Sequence, residues 1–137
     1  MTRLSTTLAP PNSLLLVLDP RTGQLPATLG GNAIASSPSA IAIGTLMEYD
    51  GETTVELTDG ADTAIASSEL ALRWSGPLIT TGLVGVLTVE NEVLLEIAAD
   101  RRVAAQVWTN DESEPDRIVI VVGSRQAEPT PGRRPGT

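Results

Sequence analysis

The chain has 137 residues, a formal net charge of -8 and a hydrophobic share of 41%. It contains no Cys, no His and no Lys, and all nine of its basic residues are Arg. The composition therefore excludes thiolate and imidazole chemistry, Schiff-base formation and a phosphate-binding lysine. An acidic surface of this kind repels nucleic acid and anionic membranes, and it suits a basic protein partner.

Carboxylates are the only abundant titratable groups that remain. A pair of carboxylates can perform acid/base chemistry on a sugar, but such sites usually lie in clefts lined with aromatic rings. The chain has three aromatic residues in all, Tyr49, Trp74 and Trp108. We therefore expect a protein that is not an enzyme and holds no cofactor and no metal, with a core of Leu, Val, Ile and Ala.

Composition divides the chain into three parts. Residues 1–12 are rich in Thr, Ser and Pro, and we expect a flexible N-terminal arm. Residues 13–124 are long enough to form one β domain with a core. Residues 125–137 are rich in Pro, Gly and Arg, which predicts a disordered tail. The sequence shows neither a secretory signal nor a membrane-spanning stretch, so we expect a cytoplasmic protein.

The first predicted strand is the apolar run at residues 13–18, which stops at the turn-forming residues 19–23. Residues 24–39 contain Pro26, Pro38 and the pair Gly30-Gly31. These residues predict an ordered loop with one short strand near residues 33–35. Next comes the strongest local signal in the chain. Alternating apolar residues on both sides of Asp50-Gly51 predict a hairpin between residues 41–47 and 53–58.

Residues 69–74 alternate again and predict a strand, which the breaker sequence Ser75-Gly76-Pro77 ends. A short helix within residues 61–72 is an open alternative, because this stretch contains the helix-favouring residues Ala64, Ala66, Glu69, Leu70 and Ala71. Residues 83–123 then predict a meander of strands joined by tight polar turns. The predicted strands of this meander are residues 83–90, 92–98, 102–109 and 117–123.

The first and last strands of this meander are apolar on both faces, and such strands are usually covered on both sides. The cover could be a second sheet, a loop or another subunit. Taken together, the elements predict an all-β fold, an antiparallel β-sandwich or a flattened barrel of about eight short strands.

Acidic residues are concentrated in the predicted domain. Residues 48–116 hold 15 acids against three Arg, a balance of -12. A face of this charge would attract a basic protein and speed their encounter, although a solvated surface that protects strand edges is the simpler alternative. The loop at residues 110–116 lacks the Gly and the distal Glu of an EF-hand calcium site. The acidic candidates for partner binding are Asp50, Glu52, Asp111, Glu112, Glu114 and Asp116.

Trp108 is the aromatic candidate for partner binding. It is in phase with Arg102, Ala104 and Gln106, and opposite in phase to the more apolar face of its predicted strand. It directly precedes the acidic loop, and Trp is enriched among residues that anchor protein interfaces.

Three functional hypotheses follow. The first is a non-catalytic, acidic protein-binding module, such as a bacterial immunity protein or an antitoxin-type inhibitor of a basic partner. The second is a homo-oligomeric structural or assembly subunit, which the strands that are apolar on both faces favour. The third is a β-barrel that binds a ligand or a metal, or an enzyme that uses carboxylates alone.

Overall fold

Two five-stranded sheets form a β-sandwich in the computed structural model, which describes residues 2–26, 33–60 and 69–123. A single 3-10 turn at Pro11–Ser13 accompanies the strands, and the described residues contain no α-helix. The prediction of an all-β sandwich is therefore confirmed. The strands are β1 Arg3–Leu8, β2 Leu14–Leu18, β3 Ile34–Ser37, β4 Ala40–Gly44, β5 Thr53–Thr58, β6 Ala71–Ile79, β7 Leu83–Thr88, β8 Val93–Ala98, β9 Arg102–Thr109 and β10 Arg117–Val122.

The first sheet has the strand order β1-β5-β10-β9-β6, and the second sheet has the order β3-β4-β2-β7-β8. Neighbouring strands are antiparallel, except that β5 and β10 run parallel, with Val55 opposite Ile118. This parallel pair places the start of β5 beside the start of β10.

The core between the sheets is built from alternate residues of each strand. Val103, Ala105 and Val107 of β9 are buried, as are Val55 and Leu57 of β5. This period of two is what a half-covered strand requires. Each fully buried Val, Leu or Ile side chain contributes about 1.5–3 kcal/mol relative to an exposed one. The core is accordingly aliphatic, with Trp74 as a partly buried ring at its margin.

The predicted meander is wrong as a topology, although its strands exist. The hairpin β7–β8 belongs to the second sheet and the hairpin β9–β10 to the first. Residues 99–101 carry the chain between the sheets, and the amide of Thr80 bonds to the carbonyl of Arg101 at this corner (2.8 Å). Local alternation defines a strand and its faces, but it does not say which sheet the strand joins.

The predicted hairpin at residues 41–58 is also wrong. Strand β4 lies in the second sheet and β5 in the first, so residues 45–52 cross from one sheet to the other. The residues around Asp50-Gly51 nevertheless form a turn, as their sequence indicates. Gly51 has a φ of 145°, and the amide of Asp50 bonds to the carbonyl of Met47 (2.8 Å). The connection is long enough to leave one sheet before the next strand begins.

Two stretches that the sequence predicts as irregular are strands. Ser75, Gly76 and Pro77 lie inside β6, which tolerates a proline because it is an edge strand. Half of the predicted N-terminal arm is strand β1, which pairs with β5 at the other edge of the first sheet. The predicted tail lies outside the described residues, as does most of the possible helix, whose last two residues begin β6.

The strands that are apolar on both faces are covered within one chain. On the outer side of the second sheet, Leu16 and Leu87 are only 3% and 4% exposed. On the outer side of the first sheet, Val119 and Val121 form a buried cluster with Leu70. No second chain is needed to bury these faces, so the observation that motivated a homo-oligomeric subunit has an intramolecular explanation.

Candidate functional site

Three acidic connections between strands meet at one end of the sandwich, beside the uncharged connection at residues 9–13 that links β1 to β2. Residues 45–52 link β4 to β5, residues 89–92 link β7 to β8, and residues 110–116 link β9 to β10. They share an end because β5 and β10 begin side by side, while β4 and β7 both end beside the beginning of β2. We call this end of the sandwich the acidic end.

Backbone hydrogen bonds join two of these connections directly. The amide of Leu46 donates to the carbonyl of Pro115, and the amide of Thr54 donates to the carbonyl of Asp116 (both 2.9 Å). The structure therefore brings the predicted candidates Asp50 and Glu52 to the same end as the acidic loop at residues 110–116. The two segments are far apart in the sequence, so the sequence alone does not predict that they are neighbours in the fold.

The charge of the described residues is strongly polarised between the two ends. The three connections of the acidic end contain no basic residue. Their nine carboxylates are Glu48, Asp50, Glu52, Glu90, Glu92, Asp111, Glu112, Glu114 and Asp116. The opposite end carries mixed charge, with the residues Asp19, Asp59, Asp100, Arg3, Arg21, Arg101 and Arg102. Counted over the connections alone, without the strand residues Arg3 and Arg102, the balance is -9 at the acidic end and -1 at the opposite end.

Two arginines border the acidic end. Arg117, at the start of β10, forms an ion pair with Glu69 (3.2 Å). Arg73, near the start of β6, donates from Nε to the hydroxyl of Thr109 (3.0 Å). Glu69 precedes β6 and Thr109 ends β9, so both guanidinium groups are engaged beside the loops rather than within them.

Asp111 shapes its own loop. Its Oδ2 accepts hydrogen bonds from the amides of Glu114 (2.8 Å) and Ser113 (3.1 Å). These bonds favour the ionised carboxylate and lower the pKa of Asp111 below its ordinary value. Asp111 therefore combines a negative charge with a structural function.

Asn110 and Asp116 close the same loop from the other side. The side-chain oxygen of Asn110 accepts from the amides of Asp116 (3.2 Å) and Arg117 (3.1 Å). Its Nδ2 donates to the Asp116 carboxylate (2.6 Å). The loop is thus braced at its base, and the exposed carboxylates of Glu112 and Glu114 project from a fixed backbone.

Trp108 lies on the outer face of the first sheet, as its phase predicts, since Val107 and Thr109 on either side of it are buried. It is half-buried, and its Nε1 donates to the side-chain oxygen of Gln106 (3.1 Å). The ring packs against the cluster that contains Val119. These contacts give Trp108 a structural function, and its participation in partner binding stays a prediction.

Tyr49 is the residue that the sequence interpretation missed. It lies in the turn that begins at Met47, and 89% of it is exposed. The neighbouring Met47 is 49% exposed. The sequence places Tyr49 directly before an Asp-Gly turn, which indicates a loop position but not that the residue stays exposed in the assembled end.

Two surface depressions are lined in part by residues of strand β6. One, of about 420 Å³, lies at the acidic end and includes Leu72, Arg73, Trp74 and Glu112 in its lining. The other, of about 630 Å³, has a shallow floor of small side chains along β6 and β9. Neither brings two carboxylates together, so neither has the pair that carboxylate catalysis requires.

A third depression, of about 250 Å³, lies at the opposite end and includes both Asp59 and Asp100 in its lining. One oxygen of Asp59 accepts the amide of Thr2 (2.7 Å), which gives this carboxylate a structural partner. Among the described residues, no group of three or more acids is arranged to hold a metal ion. The same residues contain no helix with the length and hydropathy needed to cross a bilayer.

Two open five-stranded sheets, packed face to face without a helix between them, place the described chain in the class of β-sandwich proteins. No protein-family model matches the sequence, and no curated protein matches it. Among solved structures, the chain is similar to ComJ from Bacillus subtilis, an inhibitor of the DNA-degrading activity of NucA. The TM-score is 0.58 at 10% sequence identity, over 90% of this chain and 96% of ComJ, a likeness of fold.

Proposed function

We propose that this protein is a non-catalytic inhibitor module that binds a basic protein through its acidic end. The convergence of three acidic connections at one end of the sandwich is the observation that carries the proposal. The two connections that meet through Leu46 and Pro115 form the centre of the surface. Asp50, Glu52, Glu112 and Glu114 supply exposed charge, while Asp111, Asp116 and Trp108 support its shape and border it.

Charge polarity supports this function on physical grounds. A face with a balance of -9, opposite an end near neutrality, orients the molecule as it approaches a cationic surface. Complementary fields of this kind raise association rates and exclude partners of like charge. The braced loop adds a second advantage, because a surface that is already ordered loses little conformational entropy on binding.

The fold likeness supports the inhibitor class. ComJ inhibits an activity that degrades DNA, and proteins that act on DNA present cationic surfaces to its phosphates. The acidic end would fit a surface of that kind. A nuclease or another basic toxin is therefore the partner class that we propose, with a cytoplasmic location for the complex.

Affinity capture with matched charge variants tests the proposal. The probe is the cationic protein fraction of a lysate from the source organism, passed over the immobilised full chain. The test variant carries Glu112→Gln and Glu114→Gln; the control carries Glu96→Gln and Asp100→Asn, which remove the same charge away from the acidic end. We expect the test variant to bind the retained basic protein about fivefold to tenfold more weakly, and the control to bind as the wild type does.

Salt and polyanion competition complete the test. Binding should weaken as salt rises, and heparin should compete with the chain for the same cationic surface. The proposal is wrong if no basic protein is retained, or if the two double variants lose affinity equally.

A further inference from the structure

Exposed apolar side chains are concentrated at the acidic end. The described residues contain six large hydrophobic residues that are at least 45% exposed. Four of these lie at or next to the acidic end, namely Met47, Tyr49, Leu72 and Val93. Charge alone would need no apolar component. A surface that mixes exposed apolar groups with charge has the composition of a protein interface.

The turn that presents Tyr49 is anchored on both sides. The amide of Glu48 donates to the hydroxyl of Ser13 (3.2 Å), and its carboxylate accepts the amide of Asn12 (3.0 Å). The amide of Leu46 bonds to the carbonyl of Pro115 in the acidic loop. The backbone under Tyr49 is therefore fixed by two neighbouring connections, while the ring extends into solvent.

Burial in the fold does not account for the position of Tyr49, because little of this residue is covered by the chain. A tyrosine can bury about 150–250 Å² when it packs, and this one leaves 89% of its surface exposed. Tyr is enriched among the residues that dominate binding energy, and it loses little rotamer freedom when it docks. A rigid turn with an exposed ring is thus preorganised for a partner.

We infer that Tyr49 is the anchor of the binding surface and inserts into an apolar cleft bordered by Lys or Arg on the basic partner. This inference rests on the proposed function. The flanking Glu48, Asp50 and Glu52 would meet the cationic border as the ring enters the cleft. An acidic protein is excluded by charge, and a second copy docking through the same face would oppose nine carboxylates to nine.

Matched truncations test the anchor on the full chain, with the same cationic fraction as the probe. Tyr49→Ala removes the ring at the acidic end, and Ile79→Ala truncates an exposed side chain (47%) at the opposite end. We expect Tyr49→Ala to weaken binding of the retained protein by about 30-fold, the loss typical of a dominant interface residue. Tyr49→Phe should keep most of the affinity, and Ile79→Ala should keep all of it.

Photo-crosslinking shows whether the contact is direct. A benzoylphenylalanine at position 49 should crosslink to the retained basic protein, and the same group at position 79 should not. Equal affinity of wild type and Tyr49→Ala for the retained protein would overturn the anchor but leave the proposed function intact. If the wild type retains no basic protein, both proposals fail together.

Discussion

The two ends of the sandwich use carboxylates in opposite ways. At the opposite end, Asp19 is fully buried and accepts hydrogen bonds from Thr81 and Arg21, so its charge is part of the fold. At the acidic end, Glu112 and Glu114 extend from a loop that other groups hold in place. Asp19 at one end stabilises the structure, whereas Glu112 and Glu114 at the other end are available to a partner.

Replacement of Asp19 should have the largest effect. Asp19→Ala removes the buried carboxylate that accepts hydrogen bonds from the amide and hydroxyl of Thr81. These bonds join the end of β2 to the turn between β6 and β7. We expect the free energy of unfolding to fall by about 3 kcal/mol, since bonds to a buried charge are among the stronger ones. Urea titration measures it. Asp100→Asn, an exposed change at the same end, serves as the control, and a loss below about 1 kcal/mol for Asp19→Ala would contradict the prediction.

The same carboxylate predicts a pH dependence. Burial alone would raise the pKa of Asp19, but the hydrogen bonds from Thr81 and Arg21 outweigh it and hold this pKa well below its usual range. A lowered folded-state pKa stabilises the fold above the unfolded value of about 3.9, and this stabilisation is lost as the pH falls below that value. The stability difference between wild type and Asp19→Asn should therefore shrink between about pH 5 and pH 2. A stability difference that stays constant over that pH range would show that the lowered pKa of Asp19 does not contribute to the stability of the fold.

The sequence defined strands better than it defined their assembly. The predicted strand at 102–109 agrees with β9, and the predicted positions of β5, β7, β8 and β10 are within two residues, because alternation and turn residues are local signals. Sheet membership depends on which distant strands pack together. The chain at 45–52 therefore suited both a hairpin and a crossing between sheets.

In the candidate site, too, the sequence predicted local features but not the contacts between distant segments. The sequence identified the acids at residues 110–116, and the phase of β9 correctly predicted that Trp108 lies on the outer face. It could not reveal that Leu46 bonds to Pro115, because that contact depends on the relative position of two sheets. The importance of Tyr49 depends on its exposure, which is a property of the assembled end rather than of the local sequence.

The two ends of β5 provide a smaller test with one type of substitution. Thr53, at the acidic end, has a buried hydroxyl without a hydrogen-bond partner among the described residues. Thr58, at the other end, exchanges hydrogen bonds with the backbone of Gly60 (both 3.1 Å). Thr53→Val should stabilise the protein by about 1 kcal/mol, and Thr58→Val should destabilise it by a similar amount. Thermal unfolding of both variants measures these changes. Shifts of the melting temperature with equal sign would contradict the difference in hydrogen bonding between the two hydroxyl groups.

The smallest expected effect concerns the exposed acids themselves. If Glu112 and Glu114 serve a partner rather than the fold, then Glu112→Gln with Glu114→Gln should change the free energy of unfolding by less than about 0.5 kcal/mol. Asp111→Asn, in the same loop, should lower stability more, because an amide is a poorer acceptor for the two backbone N–H groups that Asp111 holds. Denaturant titration of the three proteins compares them directly. A double variant less stable than Asp111→Asn would show that the loop's free carboxylates also maintain the structure, and the contrast between the two ends would no longer hold.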